Sequence, residues 1–258
     1  MNNFEAFILG LIQGLSEFLP VSSSGHIEIG KHILGTEIKV NVIFTVILHI
    51  ATVLSTLVVF RKDIIDLFKG VFQFKWNEST EYVSKILISM VPVGILGVFF
   101  KDYIESFFDG NIAFVGAMLI VTALLLTITL FVKQKTKDIT YKNAVIVGIA
   151  QAIAVLPGLS RSGATIATGL LVGIDKSKIA KFSFLMVIIP ILGEGLLELI
   201  KGDLVSSDIG IMPLIIGFST AFIIGLIACK LMINIVKNSK LIYFAIYCFI
   251  VGIIAIII

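Results

Sequence analysis

Ten apolar segments are strung along this chain, at roughly 4–15, 26–35, 42–60, 84–100 and 112–132, and again at 143–155, 163–173, 182–200, 211–233 and 241–258. Several approach the roughly 20 residues a helix needs to cross hydrocarbon. No water is available there to bond a free N–H or C=O, so such segments must be helical. The chain is 58% hydrophobic and 14% charged, against about 25% charged in soluble domains. One anchor on a soluble body does not fit. The expected fold is an all-α polytopic membrane protein, a single membrane domain over residues 1–258.

The opening Met1-Asn2-Asn3-Phe4-Glu5 lacks the basic stretch of a cleavable signal peptide, so the first segment is expected to stay. Cys229 and Cys248 both lie inside apolar runs, which argues for packing rather than a disulfide or a thiolate metal site. A net charge of +3 is too small to suggest nucleic acid as a partner.

The ten segments read as five elements used twice. An offset of 138 positions lays Gly10 on Gly148, Gln13 on Gln151, Ser22 on Ser160, Ser24 on Ser162, Gly25 on Gly163, Gly35 on Gly173 and Phe44 on Phe182. Repeat 1 covers about 1–135 and repeat 2 about 140–258. The first two elements of each half, about 10 to 13 residues, are too short to span and flank a Pro/Ser/Gly turn. Each pair is expected to form a re-entrant hairpin with its tip inside the protein, since irregular backbone at membrane depth must be buried or line a wet cavity. A hairpin plus three crossings makes the second half start on the opposite face. The halves are then inverted copies, an architecture that brings broken-helix tips together near the midplane.

Charge placement gives the orientation. Lys31, Lys39, Lys101 and Lys201 fall on one face; Arg61, Lys62, Lys69, Lys75, Lys85, Lys133, Lys135, Lys137, Lys142, Lys176, Lys178, Lys181, Lys230, Lys237 and Lys240 fall on the other. The second face is expected to be cytoplasmic, with both termini outside, the Glu17 hairpin entering from the outer face and the Arg161 hairpin from the cytoplasm. Residues 61–85, with Trp76, are expected to form an interfacial loop.

Two turns carry the chemistry. The second, Leu156-Pro157-Gly158-Leu159-Ser160-Arg161-Ser162-Gly163-Ala164-Thr165, surrounds one arginine with three hydroxyls. An arginine at the bilayer centre costs roughly 2.5–3.5 kcal/mol, so it normally faces a cavity and an anion, and its fork fits phosphate oxygens. A helix-breaking loop with Arg161 reaching the headgroups is the plainer alternative. The first turn runs from Gln13 through Glu17, Pro20, Ser22, Ser23, Ser24 and Gly25 to His26. A carboxylate in apolar surroundings must be protonated, paired or metal-bound; a structural Glu17–Arg161 ion pair is one reading. Facing a diphosphate, Glu17 would hold a hard divalent cation with the phosphate oxygens, and Gln13, one turn earlier, would add an oxygen. The turn would fold His26 back towards Glu17 to shuttle a proton. One of the serines is an activated nucleophile, or all bind phosphate while water attacks. Glu194 and Glu198 line the cavity or bond between helices, and His32 and His49 read as structural.

Gln13-x-x-x-Glu17, Pro20-x-Ser22-Ser23-x-Gly25-His26 and Pro157-Gly158-x-Ser160-Arg161-Ser162-Gly163 together resemble the two signature motifs of the undecaprenyl-diphosphate phosphatases of the bacitracin-resistance type. The resemblance extends over the whole chain in length, spacing and hydropathy. It implies removal of the terminal phosphate from the C55 isoprenoid diphosphate, recycling the lipid carrier of cell-wall synthesis, with a divalent cation (Mg or Ca) as cofactor. It carries over Glu17, Ser23, His26 and Arg161 as catalytic positions, with Glu17 as the metal ligand. Ser160, Ser162 and Thr165 become phosphate contacts, and Gln13, Ser22, Ser24, Gly25 and Gly163 complete the expected substrate-binding set. Gln13 stands where some members have glutamate, which argues against a mechanism needing two carboxylates from this motif. The expected partners are a polyisoprenyl diphosphate lipid and the membrane, with a homodimer left open. The competing classes are a lipid-carrier flippase or transporter around a midplane anion site, and an assembly protein.

Overall fold

The computed structural model describes residues 1–33, 42–107, 110–132, 135–193, 209–238 and 240–258, with the backbone alone at 42, 43 and 105. Among the described residues there is no β-strand, only one isolated bridge between Lys137 and Ile174. The first half holds α1 (Asn3–Ser16), α2 (Ser23–Ile33), α3 (Val42–Val59), α4 (Arg61–Val71), α5 (Glu78–Phe99), α6 (Lys101–Glu105) and α7 (Ile112–Ile128). The second holds α8 (Tyr141–Ile153), α9 (Arg161–Leu171), α10 (Lys176–Met186), α11 (Ile211–Lys237) and α12 (Ile242–Ile257). The all-α membrane fold is as expected. By length and composition α5 and α11 can each cross a membrane, α3 and α4 form a broken pair bent by 77°, and α7 and α12 are shorter apolar helices.

Polar side chains fix where the helices start. Asn2 accepts from the Glu5 N–H while Glu5 reaches back to the Asn2 N–H, and Asn77, Asn111, Thr140, Ser160 and Asp175 cap α5, α7, α8, α9 and α10. Two expectations need correction here. The 61–85 segment is not a loop: α4 occupies its first half, and the Asn77 cap starts α5 at Glu78, well before the apolar run. The 182–200 segment is not one helix. Pro190 has no N–H to give the carbonyl of Met186, and α10 ends at Met186, with helix resuming at 188 after a turn at Val187. Glu194 and Glu198 lie outside the described residues, as does Gly35.

Glycines let the helices touch. A methyl group at Gly10 would lie 2.6 Å from the Gly217 carbonyl oxygen and one at Gly14 2.8 Å from that of Ala221, so α1 lies directly on α11. Gly148 does the same for α8 on the Ser89 backbone of α5, and Gly116 with Gly252 for α7 on α12. Close backbone approach through small residues is what holds helices together where no hydrophobic force acts between them. At one end of the molecule Lys181 pairs with Asp63, Lys178 with Asp138, and Ser84 with the Tyr141 hydroxyl, so the α4–α5 region, the 135–142 segment and the start of α10 are gathered together.

Candidate active site where two hairpin turns meet

The turn from α1 to α2 and the turn from α8 to α9 are in contact. A Cβ at Gly25 would lie 2.9 Å from Gly158 Cα, and one at Gly163 3.2 Å from Pro20 Cβ. Ser162 Oγ donates to the Leu19 carbonyl across the junction at 3.2 Å. Gly158 has φ +91°, and a methyl there would sit 2.4 Å from the Val115 carbonyl oxygen of α7, so glycine is required on two counts. Ser22 takes φ +70° without that freedom, a strained conformation held by its surroundings at the base of α2.

Glu17 sits at this junction, just past the end of α1, with its carboxylate 8% exposed. Its Oε2 accepts hydrogen bonds from Ser23 Oγ at 2.7 Å and from Gln13 Nε2, one turn back on α1, at 3.0 Å. Its Oε1 faces Arg161 Nη2 at 3.9 Å. That separation is an ion pair rather than a hydrogen bond. Arg161 is the first residue of α9 and stays 29% exposed, so its fork is not consumed by Glu17. Glu17 and Arg161 line one cavity together with Thr52, Thr56, Ser162 and Ser183 on its polar side and Phe18, Val53, Phe184, Val187 and Ile191 on its apolar side. Its volume of about 20 Å³ holds roughly one water, so a diphosphate must widen it.

The other expected residues divide into two groups. Ser22 Oγ accepts from the Gly25 N–H, 3.2 Å, and lies 3.4 Å from Ser24 Oγ; Ser160 Oγ caps α9 by accepting from the Gly163 N–H, 3.1 Å. These hydroxyls shape the turns. Thr165 Oγ1 donates to the Arg161 carbonyl and lies 2.6 Å from Ser183 Oγ, so it bonds within the protein. His26 does not fold back onto Glu17: its Nδ1 is 2.8 Å from the Ser22 carbonyl, its Nε2 is 2.8 Å from the Tyr247 hydroxyl, and its ring stacks on Tyr247. Because α2 begins at Ser23, Ser22 lies one turn behind His26 and its carbonyl captures the near nitrogen. A carbonyl only accepts, so neutral His26 carries its proton on Nδ1 and its Nε2 accepts from Tyr247.

Two residues that the sequence reading did not assign to the site take part: His49, read there as structural, and Tyr247. His49 Nε2 lies 3.8 Å from Glu17 Oε2, and Tyr247 holds His26. A signal for the first was present in the sequence, since His49, Thr52, Val53 and Thr56 form one stripe of an otherwise apolar helix. Nothing in the sequence pairs Tyr247 with His26 across 221 positions.

Among the described residues no group of three His, Cys, Asp or Glu side chains could hold a metal by itself. Gln13 Oε1, however, is buried with no hydrogen-bond partner, beside the Glu17 carboxylate. One carboxylate, one amide oxygen and the phosphate oxygens of a substrate form a donor set that suits a hard divalent cation.

The family model described as "Bacitracin resistance protein BacA" matches residues 6–254. A Bacteroides fragilis protein named undecaprenyl-diphosphatase is 57% identical over 262 aligned residues, covering all of this chain and 98% of its own. Its namesake in Bacteroides thetaiotaomicron is 57% identical over 261, covering all of this chain and 99% of its own, and one from Methanosphaera stadtmanae is 39% identical over 274, covering 98% and 96%. With matches of that identity and extent, the chain belongs to the bacitracin resistance protein BacA family.

Proposed function

We infer that this protein is an integral-membrane undecaprenyl-diphosphate phosphatase, releasing inorganic phosphate from the lipid diphosphate and returning the monophosphate. One observation carries the chemistry: Ser23 Oγ donates to Glu17 Oε2 at 2.7 Å while Arg161 faces the other oxygen of the same carboxylate. A hydroxyl and a cation converge on one carboxylate, which is more than anion binding or passage requires. That also weighs against a flippase.

In the proposed reaction Arg161 binds the terminal phosphate through its planar fork and neutralises charge on it. Ser23 Oγ attacks the terminal phosphorus as its proton passes to Glu17. The anhydride P–O bond breaks, and the lipid monophosphate leaves with the bonding electrons. Water then cleaves the phosphoserine, restoring Ser23 and releasing inorganic phosphate. Glu17 and Gln13 Oε1 would hold a divalent cation (Mg or Ca), which when bound supplies further neutralisation of the diphosphate. The N–H groups of Arg161 and Ser162 at the start of α9 favour an anion at the same point, with Ser160 and Gly163 shaping the turn through their own hydrogen bond.

Several finer features belong to the same proposal. The halves are inverted copies: α1 packs on α11 and α8 on α5, the exchange a two-fold would make, while α7 and α12 pair with each other. The gathered basic segments of the α4–α5 region, 135–142 and α10 form the cytoplasmic end, which puts both termini outside and opens the site to the outer face. The lipid tail stays among the lipid-facing helices. Exposed apolar residues on α5, including Leu87, Val91, Ile95 and Val98, are covered by lipid or by a second copy in a homodimer.

Purified protein in detergent is expected to release phosphate from undecaprenyl diphosphate in a time-dependent manner, and rapid quenching is expected to trap phosphate on Ser23. Movement of the lipid across a vesicle bilayer without phosphate release would overturn the reading.

A further inference from the structure

His49 lies near the same carboxylate oxygen that the proposed nucleophile bonds. Oε2 of Glu17 accepts from Ser23 Oγ at 2.7 Å and Gln13 Nε2 at 3.0 Å, and His49 Nε2 lies 3.8 Å from it. Among the described residues Oε1 has only Arg161, at 3.9 Å. The carboxylate is therefore held by one oxygen and left open at the other. Among the described residues the His49 ring makes no hydrogen bond; the imidazole is 14% exposed and lies 3.8 Å from Glu17 Oε2, a polar group turned into the protein without a completed hydrogen bond.

Its helix aims it there. Thr52, Val53 and Thr56 of α3 line the cavity that holds Glu17 and Arg161, and His49 is the next residue back on that stripe at i−3, i−4 and i−7. The Thr52 hydroxyl bonds to the His49 carbonyl at 2.9 Å, which ties the two positions on one turn. The 138-residue offset between the halves lays His49 on Val187, which lines the cavity too. The corresponding places hold an imidazole beside Glu17 and an isopropyl group in the cavity wall. A packing role would be served by valine at both.

We propose that His49 is a positioning residue for Glu17: its Nε2–H holds Oε2 in register with Ser23, so that Oε1 stays turned towards Arg161 and the substrate. The gap of 3.8 Å is about one ångström beyond a hydrogen bond, and such contacts are often long before substrate binds and tighten afterwards. This rests on the phosphatase reading. What the residue supplies is an N–H donor of fixed direction, which a glutamine amide also provides.

The test compares His49→Gln and His49→Leu with the natural protein, measuring kcat and KM for phosphate release from undecaprenyl diphosphate, and the unfolding midpoint of each in detergent. His49→Leu is expected to lose at least tenfold in kcat with KM changed less than threefold, and His49→Gln to stay within about fivefold of the natural kcat, with all three midpoints alike. Full kcat in His49→Leu would overturn the proposal, as would a glutamine variant as impaired as the leucine one, or a loss confined to KM. A midpoint lowered in both variants together with their kcat would mean a packing role and would overturn it too. Absence of phosphate release by the natural protein would instead sink the phosphatase reading itself, so the two failures are distinct.

Discussion

At the scale of single residues, the structure turns on how Glu17 divides its two oxygens. Oε2 is committed to Ser23 and Gln13, and Oε1 is offered to Arg161. Glu17→Gln keeps the shape but cannot take the Ser23 proton, so phosphate release is expected to fall about 10²- to 10⁴-fold, the usual worth of a positioned base. Arg161→Lys keeps the charge and loses the fork. It is expected to retain more activity than Arg161→Ala yet to fall well below the natural protein; steady-state phosphate release measures both, and a lysine variant with full activity would remove the bidentate assignment. His26 poses a different question, because its Nε2 is bonded to Tyr247 rather than turned to Glu17. Tyr247→Phe keeps the stacked ring and frees that nitrogen. Losing one hydrogen bond of about 0.5–1.5 kcal/mol corresponds to an expected change of at most about tenfold in the rate of phosphate release.

At the scale of elements, glycines decide whether the two turns can meet. Gly158→Ala would place a methyl 2.4 Å from the Val115 carbonyl at φ +91°. The backbone strain alone is of order 1–3 kcal/mol, so a clearly lower unfolding midpoint in detergent is expected, with activity lost as the Arg161 turn withdraws from α7. An unchanged midpoint would mean that the turn is not seated as described. The two hairpins were legible as short apolar pairs around Pro/Ser/Gly turns, because a run of 10 to 13 residues cannot span and Pro157 cannot continue a helix. Helix boundaries were less legible. Asn77 starts α5 inside a polar stretch, and Pro190 ends α10 inside an apolar one; hydropathy registers composition, whereas caps and missing N–H groups act one residue at a time.

At the scale of the whole molecule, a polar junction is enclosed by apolar helices, and two expectations follow from that. Removing divalent cations with a chelator is expected to abolish phosphate release, and Mg or Ca to restore it, because among the described residues Glu17 is the carboxylate at the junction. Full activity with chelator present would remove the cation from the proposal. A reporter fused after Ile258 is expected outside the cell, and a cytoplasmic signal would invert the layout. By itself the sequence determined the membrane class, the hairpin pairs and the polar residues of the turns, because apolar run length and buried charge carry costs too large to be offset elsewhere. Only the tertiary structure decided which atoms meet. His49 reaches Glu17 across 32 positions and Tyr247 reaches His26 across 221, and contacts of that separation depend on how helices cross rather than on any local pattern.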